Sequence, residues 1–166
     1  MDTRLAVASS ILKSNDFPIY YLSPRGVKLD AQISNSISKL DGMTLVCGKY
    51  EGVDERVIKH YNMIEISIGD YILSGGDLAA MVLIDSVVRC LPNVLGNPLT
   101  LNVESFTNHL LEYPLYTQPR EWKNYKVPDV LLSGDHKKIK NWKIKQSEDI
   151  TMKRRPDLWK KYLKLK

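Results

Sequence analysis

Short runs of β-branched, aromatic and aliphatic residues recur along the first half of the chain, at 18–22 (PIYYL), 43–47 (MTLVC), 63–68 (MIEISI) and 71–73 (YIL). Each has the length and composition of a buried strand. Between them the apolar positions change period. Residues 2–13 place Leu5, Val7, Ala8, Ile11 and Leu12 at helical spacing, and 29–40 do the same with Ile33, Ile37 and Leu40. Residues 54–61 predict a short helix, and 78–91 predict one that is apolar nearly all round. Strand and helix therefore alternate, which predicts an α/β fold with a parallel sheet. Beyond Leu91 the pattern loosens through Pro92, Asn93, Gly96, Asn97 and Pro98. The remainder predicts only helices: one over 135–146 capped by Asp135, and a last one opening near Pro156, a residue suited to the first helical turn.

The glycines change this picture, because six of the nine fall between Gly42 and Gly76. With Gly26 they sit mostly just after predicted strands, in SPRG, CGKYEG, IGD and LSGGD. Open α/β sheets bind ligands at the carboxyl ends of their strands, and glycine lets backbone approach a ligand closely. Three such loops point to a nucleoside-sized ligand. Neither GxGxxG opening a helix nor GxxxxGK[ST] occurs, so dinucleotide and P-loop chemistry lack their signatures.

Charge divides the chain. Residues 1–119 carry 9 Lys plus Arg against 13 Asp plus Glu, whereas residues 120–166 carry 15 against 6, so −4 is followed by +9. A basic unit interleaved with Trp122, Tyr125, Trp142, Trp159 and Tyr162, attached to a mildly acidic body, is the footprint of a protein that grips a polyanion with one part. Cys47 and Cys90 have no CxxC or histidine at ligand spacing and are expected to be buried free thiols, with no metal site. No run approaches the roughly 18 apolar residues of a membrane span, and no signal-peptide pattern opens the chain, so a soluble, cytoplasmic protein is expected.

Four segments are specific enough to carry a family resemblance: YLSPRG (21–26), LVCGKYEGVDERV (45–57), SIGDYILSGGDLAAMVLIDSVVR (67–89) and VPDVLLSGDH (127–136), followed by KQS (145–147) and RRPDL (154–158). In this order they resemble the bacterial tRNA (guanine-37-N1)-methyltransferases over nearly the whole chain. The resemblance implies a trefoil-knotted, parallel-sheet α/β domain of the SPOUT class that binds S-adenosylmethionine (1–91), a linker (92–105) and a small all-helical tRNA-binding domain (106–166). It also implies a homodimer whose active site is shared across the interface, so that a monomer is expected to be inactive. The cofactor-binding residues it carries over are Ser23, Pro24 and Gly26, then Gly48, then Ile68, Gly69, Asp70, Tyr71, Ile72, Leu73, Gly75 and Gly76.

Methylation of guanine N1 needs a base to remove the N1 proton and a cation or donor to hold the charge that moves onto O6. The family pattern gives the O6 role to Arg89 and the base role to Glu104, and places Ser105 beside the substrate. Glu51 is a further candidate, since a carboxylate can accept from guanine N1–H and the exocyclic amine; an ordinary turn residue is the alternative. Asp54, Glu55 and Arg56 read instead as the cap and ion pairs of the following helix. Lysines and arginines of the basic segment, such as Lys137, Lys143 and Arg154, suit phosphate contacts.

Glu104 stands where many members have aspartate. The others that depart are Lys49 for arginine, Asp77 for glutamate, Ala79 for proline and Gln118 for arginine. Magnesium dependence is described for the family, but no dedicated carboxylate cage is evident here. Family members also begin with a further strand, a helix and a glycine-rich loop ahead of the helix expected at 2–13. The chain is thus expected to open in mid-fold, and a truncated, weakly active or non-catalytic binding remnant is the alternative function. A knotted enzyme acting on a ribose 2′-hydroxyl is a third reading.

Overall fold

The computed structural model describes residues 16–49, 52–95 and 104–166. The chain divides into two compact units, residues 1–96 and 97–166. The helix expected at 2–13 lies outside the described residues.

In the first unit, β1 (Ile19–Lys28), β2 (Thr44–Cys47) and β3 (Ile64–Ser67) form a parallel sheet in the order β2-β1-β3. The intervening helices are α1 (Ala31–Ile37), α2 (Glu55–His60) and α3 (Asp77–Val88). Central position explains why β1 opens on five consecutive buried residues, Ile19 to Ser23, instead of an alternating pattern. Its side chains alternate faces. Tyr20 and Leu22 pack with Ile66 against Ile37 of α1 and Ala79, Ala80, Leu83 and Val87 of α3. Ile19 and Tyr21 pack on the other side with Val57 and Ile58 of α2 and with Met63. Leu83 is fully buried.

Two sequence expectations about this unit are corrected. The SPRG segment was expected to be a loop after a strand ending at Leu22, yet β1 resumes and runs to Lys28. Its register shifts between Leu22 and Val27, both of which pair with Ile66, so residues 23–26 bulge out of the ladder. Conversely, the YIL run at 71–73 is not a strand but a bend followed by irregular backbone, with Tyr71 and Ile72 exposed. Apolar composition alone does not decide pairing, and among the described residues 71–73 joins no strand. The thiol expectation is corrected as well: both cysteines are free, but Cys47 is exposed and Cys90 half-buried.

Among its described residues the second unit holds a 3-10 turn (Thr107–His109), two-residue strands β4 (Glu121–Trp122) and β5 (Tyr125–Lys126), and helices α4 (Asp129–Leu132), α5 (His136–Arg154) and α6 (Pro156–Leu163). The expectation of helices alone is corrected here: residues 110–128 are irregular backbone apart from the β4–β5 hairpin, and the helices are gathered after Pro128. Asp135 caps α5, its carboxylate accepting from the Lys137 and Lys138 amides at 3.1 and 3.0 Å. Pro156 opens α6 as expected. Thr151, fully buried in α5, ties the helix to the chain before it: its hydroxyl donates to Ser147 O at 2.6 Å and accepts from the Leu111 amide at 2.8 Å.

Candidate active site

The carboxyl ends of β1, β2 and β3 open onto a cavity of about 470 Å³ in the first unit. Three loops build it. The first is the 23–26 bulge, where Ser23 Oγ accepts from the Arg25 amide at 3.2 Å and shapes the turn. The second follows β2 at Gly48. The third is the stretch from Ile68 to Gly76 between β3 and α3, fastened to the second where the Gly76 amide donates to Gly48 O at 2.8 Å and Lys49 bridges to Gly75.

Ten of the twelve residues expected to bind a cofactor line this cavity: Ser23, Pro24, Gly48, Ile68, Gly69, Tyr71, Ile72, Leu73, Gly75 and Gly76. Gly69 has φ +155°, and a Cβ there would run into the Tyr71 ring, so any other residue would rebuild the third loop. Ser67 braces the same turn, its hydroxyl donating to Gly69 O at 3.1 Å and receiving the Gly69 amide at 3.2 Å. The other two expected residues lie outside the lining. Gly26 is where the bulge presses on β3, since a Cβ would overlap the backbone of Glu65 and Ile66. Asp70 points to solvent, with Lys28 Nζ 3.5 Å away.

The remaining candidates are distributed over the two units. Arg89 is the C-cap of α3, its amide donating to Asp85 O at 3.2 Å. Glu104 and Ser105 belong to the second unit, where Glu104 O accepts from the Thr107 amide at 3.3 Å and Ser105 Oγ accepts from the Glu112 amide at 3.0 Å. Glu51 lies outside the described residues. Asp54 behaves as expected of a cap: its carboxylate accepts from the Arg56 amide at 2.8 Å and from the Arg56 guanidinium at 2.6 Å, which holds its pKa down at about 2.

Sequence reasoning missed two parts of the cavity wall. Tyr21 reads as a core strand residue, yet its ring sits beneath Gly48 and Gly52, within 3.2 Å of where either Cβ would be, and its hydroxyl accepts from the Val53 amide at 3.3 Å. Arg25 Nη2 donates to Glu55 at the start of α2 and to Glu65 on β3, both at 3.2 Å, joining three elements at the rim. The Glu55 hydrogen bond, then the charge of Glu65, raise the Arg25 pKa further. A two-residue turn motif gives no hint of either. Beside the cavity, partial burial of the Cys47 thiol and then the Asp77 charge push its pKa up. Among the described residues no cluster of three or more His, Cys, Asp or Glu could hold a metal ion, and no helix is long and apolar enough to cross a membrane.

A glycine-rich cavity at the carboxyl end of a parallel α/β sheet, walled by apolar side chains and loop backbone, is the place where proteins of the open α/β class hold small ligands. The family model described as tRNA (Guanine-1)-methyltransferase TrmD matches residues 3–161, and the chain belongs to that family. It is 58% identical over 146 residues to the tRNA (guanine-N(1)-)-methyltransferase of Pelagibacter ubique (strain HTCC1062), covering 88% of this chain and 64% of that protein. It is 53% identical over 148 residues to the tRNA (guanine-N(1)-)-methyltransferase of Rhodospirillum rubrum, covering 89% of this chain and 62% of that protein. With the protein of the same name from Bartonella henselae (strain Houston 1) the identity is 49% over 166 residues, covering 99% of this chain and 72% of the relative. The chain thus spans a little under two thirds of the length of the first two relatives.

Proposed function

We propose that this chain transfers a methyl group from S-adenosylmethionine to N1 of guanosine at position 37 of tRNA. The observation that carries the proposal is the cavity: ten residues of three family motifs, spread from Ser23 to Gly76, converge on one space of about 470 Å³. That volume lies in the range of small-ligand pockets, roughly 300–1,000 Å³. The residues present fit the cofactor. The irregular 68–74 backbone can offer its N–H and C=O groups to a base and ribose, while Ile72 and Leu73 supply apolar surface to an adenine face. When bound, the cofactor supplies an electrophilic methyl group.

The chain's own residues handle the guanine. Glu104 accepts the N1 proton, so that N1 presents a lone pair, and the Arg89 guanidinium balances the negative charge that develops on O6. Glu104 reaches one methylene further than aspartate. In this reading the first unit is a trefoil-knotted domain of the SPOUT class, residues 92–105 are the linker, and the second unit grips tRNA through its lysines and arginines. Two copies assemble so that Glu104 of one serves the cavity of the other. The outward face of α3 supports such a contact, because Leu78, Met81, Val82 and Ile84 are all exposed on it.

The test is transfer of labelled methyl to an unmodified tRNA transcript with guanosine at position 37, beside one with adenosine there. Incorporation confined to the guanosine transcript is expected. Arg89→Ala and Glu104→Gln are expected to lose at least 100-fold in rate while cofactor binding persists, in line with the loss of a charge-stabilising or proton-accepting group. Cofactor binding with no transfer by the unmodified chain would establish a binding protein instead.

A further inference from the structure

The β4–β5 hairpin is the one sheet among the described residues of the second unit, and its register sorts its side chains by chemistry. Lys123 and Asn124 form the turn with φ +46° and +65°, the mirror-image geometry that matches strand twist. Glu121 pairs with Lys126, and Trp122 pairs with Tyr125. Successive residues of a strand face opposite ways, so one face of the ribbon carries an ion pair, Lys126 Nζ to Glu121 Oε2 at 3.7 Å, and the other carries the two aromatic residues. These rings are held out in water: Trp122 is 60% exposed and Tyr125 is 77% exposed. Lys123 Nζ lies 4.9 Å from the Trp122 ring centroid.

We propose that Trp122 and Tyr125 form a stacking platform for unpaired bases of the tRNA. This rests on the proposed tRNA substrate and extends it. Phosphate contacts from lysines hold any RNA, duplex or not, whereas a flat aromatic surface holds only bases that have left a helix. The occupant follows from charge. Lys123 lies over the Trp122 ring, Arg120 and Lys126 flank the pair in sequence, and the segment 120–166 has 15 Lys plus Arg against 6 Asp plus Glu. Aromatic rings interleaved with cations match single-stranded nucleic acid, which offers a π-face beside every phosphate. A protein interface core is instead depleted in lysine.

The experiment measures equilibrium binding of the full chain to an unmodified tRNA transcript and to a fully paired RNA duplex across a salt series. Wild type is compared with Trp122→Ala, Tyr125→Ala, Trp122→Phe and Lys137→Ala. Each alanine substitution of an aromatic is expected to weaken tRNA binding about 5- to 100-fold. Duplex binding and the salt slope should stay unchanged, and Trp122→Phe should keep most of the affinity. Lys137→Ala should flatten the salt slope for both ligands. Alanine variants that bind tRNA as tightly as wild type, while wild type binds and methylates it, overturn the platform and leave the proposed function standing. Equal losses for tRNA and duplex, or a changed sedimentation coefficient, assign the rings to folding or to contact with a second copy and also overturn it. Failure of wild type to bind tRNA at all removes the proposed function and the platform together.

Discussion

Single residues of the site were legible where chemistry demands a particular side chain and illegible where packing does. Gly69 belongs to a loop recognisable from its IGD pattern, and its φ of +155° bears out the need for glycine. Gly26 was assigned to a ligand, but the fold gives it a contact with β3 that no local pattern encodes. Gly26→Ala is therefore expected to destabilise the chain by about 1–3 kcal/mol, the usual cost of forcing atoms into packed structure, as read by urea unfolding. Truncation in the core has a sharper outcome. Leu83 is fully buried against the central sheet, so Leu83→Ala should cost about 2–5 kcal/mol by the same measurement.

At the scale of elements, period and caps identified β2, β3, α1, α2, α3, α5 and α6, while pairing decided the rest. A strand needs a neighbour, and only the assembled sheet shows that β1 continues past its bulge whereas 71–73 pairs with none of the described strands. The β4–β5 hairpin escaped notice because two-residue strands show no alternation and its turn is Lys-Asn instead of Asn-Gly. Thr151 joins α5 to Leu111, so Thr151→Val, which keeps the shape but removes the hydroxyl, leaves a buried amide unpaired. A loss of about 1–3 kcal/mol is expected in thermal or urea unfolding. Acid should loosen two helix starts. Asp54 before α2 and Asp157 in the first turn of α6 are each held at about 2 by a neighbouring arginine, below the ordinary 3.8. Such depressed groups lend their stabilisation fully above about pH 4 and lose it as pH falls through 2. Helical signal monitored by circular dichroism from pH 5 to 1.5 should decline over that window, and Asp54→Asn with Asp157→Asn should remove this component.

At the scale of the whole molecule, charge and family motifs say most. The +9 carried by residues 120–166 predicts that tRNA binding weakens steeply with salt, log K falling linearly with log salt concentration. Titration between about 50 and 200 mM salt checks this, and a flat response would disconnect the basic segment from RNA. The sequence by itself determined the alternation of strand and helix, the caps at Asp54 and Asp135, the opening of the last helix at Pro156, the charge asymmetry and the family, because these depend on residues near one another in the chain or on composition. Only the tertiary structure decided the strand order, the bulge that keeps Gly26 on β3, Tyr21 beneath Gly48 and the Arg25 bridge to Glu55 and Glu65. Those contacts join residues far apart in sequence, and their partners are chosen by packing across the sheet, a geometry that no local period carries.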